Sequence, residues 1–221
     1  MTPVTNLLTF LGLAVTLLLV WRQSWRARLG LFVAQSIVLA SLALALGVLT
    51  GRAGLIVVAA AFAVLKGWVI PRALRRIATG TPPRGNVAAG HSAGLPLLAA
   101  GALVVVAYVI LLPVLDPASL PAGVAPLPTA GAIPLAFAMA LIGLFVCVTG
   151  HDVLGHILGF LMLENGIFAL ALVATYGLPG LVEAGVFLDV LAIVMIMEGV
   201  VVQIRRTHES IDIDLLEELR G

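Results

Sequence analysis

The sequence predicts an all-α, polytopic integral membrane protein of about seven transmembrane helices, with the N-terminus outside and the C-terminus cytoplasmic. Three observations predict it. Of 221 residues 62% are apolar and only 10% are charged, mean hydropathy is +1.19, and apolar stretches of spanning length recur along the whole chain. A soluble domain carries roughly a quarter charged residues, and a spanning helix needs about 20 mostly apolar ones. Seven spans therefore use most of the chain and leave little for a soluble domain. Twelve Lys and Arg against eleven Asp and Glu leave no basic field for nucleic acid. The single Cys147 excludes an internal disulfide framework and a cysteine zinc cluster.

The stretches are bounded by charge, proline or glycine and run over about 4–21, 29–50, 53–71, 94–115, 129–149, 154–176 and 180–204. The first has no basic residue before its apolar run, and Arg22, Arg26 and Arg28 follow it. That order fits a retained helix rather than a signal peptide. The second begins after Arg28 and the third lies between Arg52 and Arg72, while the fourth ends before Asp116. The fifth ends before Gly150, the sixth before Gly177 and the seventh before Arg205. Short cytoplasmic loops collect Lys and Arg. The expected orientation places Arg22, Arg26, Arg28, Arg72, Arg75, Arg76, Arg84, Arg205, Arg206 and Arg220 inside, with Arg52 outside and Lys66 within a span.

The connections suggest how the chain is organised. Residues 77–93 are rich in Gly, Pro and polar residues, and 117–128 (PASLPAGVAPLP) form a Pro-rich outer loop without a basic residue. This divides the chain into a four-helix membrane extension over 1–116, the loop 117–128, a three-helix unit over 129–206 and an acidic cytoplasmic tail over 207–221. The tail reads equally as a docking segment and as a solvated end. No repeat of fixed period is visible.

An ionisable group in hydrocarbon costs about 2.5–3.5 kcal/mol on insertion scales, so each one needs an explanation. Glu164 lies ten residues into the sixth stretch, about 15 Å deep. Asp189 lies about 21 Å above the inner end of the seventh, slightly past the midplane. Glu198, nine residues on, faces about half a turn away. Lys66 lies toward the inner end of the third stretch, where its ammonium is expected to reach for water.

Water-poor surroundings disfavour the charged form of a carboxyl group, so acids at these depths are candidates to take up and release protons. Asn165 beside Glu164, His156 two turns below, and His151 with Asp152 at the inner mouth offer a cytoplasmic approach. The competing reading is that the acids pair with Lys66, or with arginines of another chain, and simply fix helix packing. Glu183, near the outer end of the seventh stretch, reads as solvated. Gly155 and Gly159 form a small-xxx-small face for close helix approach. No metalloprotease motif, nucleophile elbow, phosphate loop or dinucleotide fingerprint is present, and no metal or cofactor is implied. Any redox or hydrolytic chemistry is expected on another chain.

The stretch GHILGFLMLENGIFALALVATYG, the following span with its acids, and the ending VVQIRRTHESIDIDLLEELRG resemble the three-helix K-type subunit of complex I and the C subunit of multisubunit sodium/proton antiporters. That likeness covers roughly 129–221. With its four additional N-terminal helices, the long form resembles the E component of hydrogenase-4 and formate hydrogenlyase-type complexes. The resemblance implies a non-catalytic subunit of a complex I-like assembly in the bacterial cytoplasmic membrane, contributing to proton translocation. Its implied partners are antiporter-like and other membrane subunits with a peripheral hydrogenase or dehydrogenase arm. K-type subunits carry one membrane glutamate in each of their last two helices. Glu164 matches the first; the second falls at Ile193, so its role passes to Asp189 one turn away, and then to Glu198. The alternatives are a sodium/proton antiporter subunit and a scaffold without an ion pathway.

Overall fold

A backbone in hydrocarbon must satisfy its own N–H and C=O groups, which leaves the helix as the local solution for each of these apolar runs. The computed structural model describes residues 2–80, 94–116, 127–150 and 153–175, which are helical apart from short turns and contain no strand. In order they form α1 (Thr2–Trp21), α2 (Trp25–Thr50), α3 (Ala53–Val64), a π turn (Leu65–Val69) and α4 (Ile70–Gly80). They continue with α5 (Gly94–Leu115), a 3₁₀ turn (Ala130–Ala132), α6 (Ile133–Thr149) and α7 (Val153–Ala174). Six helical spans among the described residues are long and apolar enough to cross a membrane. They match the first six expected stretches. The seventh, 180–204, lies outside the described residues.

Local chemistry sets the boundaries. Ser24 caps α2 with extended backbone, and its carbonyl accepts from Arg28 N–H at 3.0 Å. The helix therefore starts before Arg26 and Arg28, which the expected stretch of 29–50 left outside it. At the other end Gly51 takes φ of +67°, a left-handed conformation suited to glycine. Its N–H reaches Val48 O, and Arg52 N–H reaches Gly47 O at 2.9 Å, which closes the last carbonyls. Pro134 stands in the first turn of α6, where a missing N–H costs no bond.

The third span departs from expectation. The stretch was expected to end at 71, before Arg72, and Pro71 would break a regular α-helix there, because proline has no N–H and its ring collides with the carbonyl four residues back. Instead the helix widens: Ile70 N–H donates to Leu65 O, five residues back, and the chain runs on as α4 to Gly80. A π turn of this kind absorbs one extra residue without ending the helix.

Several hydroxyl groups inside the spans are satisfied locally. Thr9, Thr16, Ser36 and Thr50 each donate to the carbonyl four residues back at 2.6–2.9 Å. Helices α6 and α7 form the tightest pair. A side chain added at Gly143 would collide with the backbone of Leu163, at Gly159 with Cys147, and at Gly166 with Ala140. The positions descend on α6 as they ascend on α7, so the pair is antiparallel with contacts three and four residues apart. Gly159, one of the two glycines of the expected small-residue face, makes this close approach together with Gly166. The pair also packs against the N-terminal helices, α6 on α1 and α5, and α7 on α2. About three-fifths of α6 and α7 is buried against about one-tenth of α5, whose Leu98, Val105, Val109 and Leu112 face outward.

Candidate functional site

Helices α1, α2 and α7 and the π turn enclose the polar residues, while the outward surface is apolar: Leu18, Ile37, Val57 and Ile167 are exposed, and Gln35, Ser36, Lys66, Glu164 and Asn165 are buried. Glu164 is the central residue of the span Leu154–Ala174, ten residues from either end, hence about 15 Å from each. It is 4% exposed.

Opposite it is Lys66. The expectation that this side chain stretches toward water is overturned: Lys66 is fully buried, and its Nζ lies 3.1 Å from Glu164 Oε2. The same ammonium donates to Asn165 Oδ1 at 2.9 Å and stands 4.4 Å from the centre of the Phe62 ring. Phe62 in turn stacks on Phe168, with ring centroids 4.4 Å apart and planes at 15°. Lys66 is the second residue of the π turn. A carboxylate, an amide oxygen and a ring face thus meet one ammonium, which has three protons to donate. The aromatic pair closes the apolar side of the ion pair.

The chain of polar contacts continues across the bundle. Asn165 Nδ2 donates to Gln35 Oε1 at 3.0 Å and to Ser36 Oγ at 3.4 Å. Gln35 Nε2 donates to Thr16 Oγ1 at 2.7 Å, and Thr16 donates to Gly12 O at 2.7 Å. Four spans therefore contribute to one buried network: Glu164 and Asn165 from α7, Lys66 from the π turn, Gln35 and Ser36 from α2, and Thr16 from α1. Thr16 stands five residues before Trp21, the end of α1, about 8 Å along the axis. The network thus leads from mid-span toward the end that carries Arg22, Arg26 and Arg28.

Energetics explain why the pair exists. One buried charge costs several kcal/mol, whereas two opposite charges offset that cost only when their geometry is good and their remaining donors are satisfied. Asn165, held by Gln35 and Ser36, supplies the further acceptor. Moving one proton from Lys66 to Glu164 would convert the ion pair into a neutral amine and a neutral acid without changing the net charge in the hydrocarbon.

Of the other predicted site residues, His156 is exposed two turns earlier on α7, in surroundings unlike those of Glu164. Asp189, Glu198, Glu183, His151 and Asp152 lie outside the described residues. Sequence reasoning singled out Glu164, Lys66 and Asn165 and named pairing with Lys66 as the competing reading, but did not bring Gln35, Ser36 or Thr16 to them. The signal available for them was their polar character within otherwise apolar spans.

Fold and site together define a multi-pass helical membrane protein with an ionisable centre. Over 207 residues, covering 93% of this chain and 90% of the relative, it is 37% identical to an uncharacterised protein, Rv0085, of Mycobacterium tuberculosis. Over 219 residues, 99% of this chain and 98% of each relative, it is 27% identical to hydrogenase-4 component E of Escherichia coli K12 and of Shigella flexneri. The chain belongs to one family with Rv0085, is homologous along its full length to hydrogenase-4 component E, and is a multi-pass protein of the bacterial inner membrane. No family model matches it, and no solved structure does.

Proposed function

We propose that this chain is a membrane subunit of a complex I-like hydrogenase complex and contributes to moving protons through its buried carboxylates. The observation that carries this reading is the Lys66–Glu164 pair at mid-span, 3.1 Å apart and withdrawn from water. An ionisable pair at that depth is costly and is most often kept for ion or proton traffic. Full-length similarity to hydrogenase-4 component E supports membership in such a complex, whose redox chemistry would sit on other subunits. In this reading Glu164 accepts and releases the proton and Lys66 sets the charge balance around it. His156 serves the mouth of the path, and Asp189 and then Glu198 extend it along the seventh span.

The test is Glu164→Gln, which keeps the size and removes the titration. In the assembled complex it is expected to lower the number of protons moved per electron while hydrogenase turnover persists. Normal assembly with an unchanged ratio would remove Glu164 from the path. A second reading, a packing lock without ion traffic, draws on the same network, because it ties four spans together. Loss of assembly in Glu164→Gln would favour that reading.

A further inference from the structure

The arginine-bearing end of the bundle holds a feature that the buried network does not use. A groove of about 230 Å³ opens between α2 and the π turn with α4. Gly30 and Val33 form one wall, and Trp68, Pro71, Arg72 and Arg75 form the other. Positions 68, 72 and 75 are four and then three residues apart, so they line one helix face. The Arg72 guanidinium lies 4.3 Å from the Trp68 ring centre, an arrangement that holds the side chain extended along the helix. The lower part of the groove is apolar and the upper part is cationic.

Charge balance says what belongs there. None of the eleven Asp and Glu residues precedes Asp116, whereas eight arginines and Lys66 do. Lys66 is matched by Glu164. Arg22, Arg26, Arg28, Arg72, Arg75 and Arg76 stand at the end of the first three spans where the groove opens, and those spans contain no acid. All three tryptophans (Trp21, Trp25 and Trp68) stand at this end, the level at which amphipathic rings meet lipid headgroups. Arg22 likewise lies 5.1 Å from the Trp21 ring centre.

We infer that this groove binds one anionic phospholipid, with its phosphate between Arg72 and Arg75 and an acyl chain along Val33, Pro71 and the Trp68 ring. Basic pockets between spans select anionic headgroups, and each arginine near such a surface is worth about fivefold in preference. The acyl chain distinguishes this ligand from free phosphate, because the wall below the arginines offers it apolar contact.

The full chain with Trp21→Phe and Trp25→Phe leaves Trp68 as its only tryptophan. It is reconstituted into phosphatidylcholine vesicles carrying a minor fraction of brominated phosphatidylglycerol, or the same fraction of brominated phosphatidylcholine. Brominated phosphatidylglycerol is expected to quench Trp68 several-fold more strongly. The preference should weaken as salt rises and vanish in Arg72→Gln with Arg75→Gln. Equal quenching by the two lipids, a preference indifferent to salt, or one that survives both substitutions would overturn the assignment. So would a preference that emerges only after residues 207–221 are removed, since the acidic tail would then be the occupant.

Discussion

The chain joins its helices in two different ways, and the contrast separates a seam of close backbone packing from a seam of polar and ionisable contacts. Along α6 and α7, Gly143, Gly159 and Gly166 bring two backbones together with no side chain between them. In hydrocarbon, where burying apolar surface gives no advantage over lipid, such close packing is itself the source of association. Between α7, the π turn, α2 and α1 the contact is instead a chain of polar atoms from Glu164 to Thr16. The first seam has nothing to titrate. The second contains an acid, a base and amides, so its stability depends on protonation and its geometry can change with it.

Three substitutions probe this contrast. Lys66→Met has the largest expected effect: it leaves Glu164 buried without its cation, at a cost of about 3–5 kcal/mol. Unfolding of the purified chain in detergent would measure it, and adding Glu164→Leu should recover most of the loss. A double variant as unstable as the single one would show that the pair is not what the substitution disturbs. Gly143→Ala follows, at about 1–3 kcal/mol, since the added methyl group meets the Leu163 backbone rather than a movable side chain. An unchanged unfolding midpoint would mean that the two backbones can part cheaply. Gln35→Met is the smallest, about 1–2 kcal/mol, because it removes the acceptor of Asn165 and the donor to Thr16 within membrane-buried surroundings. If proton coupling also falls while Gly143→Ala leaves it intact, the two seams are functionally distinct.

The spans were legible because hydropathy and length report directly on the bilayer. The fourth was expected over 94–115 and is observed as Gly94–Leu115. The errors came where one residue's local rule was overridden. Pro71 breaks an isolated α-helix, yet a π turn accommodates it. Arg26 and Arg28 are unfavourable in hydrocarbon, yet they belong to the first turn of α2, outside the apolar run. Glu164 was legible as a buried acid from its depth alone. Its pairing with Lys66 was one of the readings open for the buried acids, but sequence alone does not choose it, because the partners are 98 positions apart and periodicity within a helix does not say which other helix it will face. The orientation assigned to Lys66 failed for the same reason: a long side chain near a helix end can reach water, unless a neighbour supplies an anion first.

The pairing of Lys66 with Glu164 also bears on how this region meets a membrane voltage. A potential does work only on net charge that is displaced, about 2.3 kcal/mol for one elementary charge crossing 100 mV. The pair carries no net charge, so a tilt or shift that moved both groups together would draw almost no energy from the field. Within this network, a proton gained or lost would couple to it far more strongly than a joint movement of the two side chains.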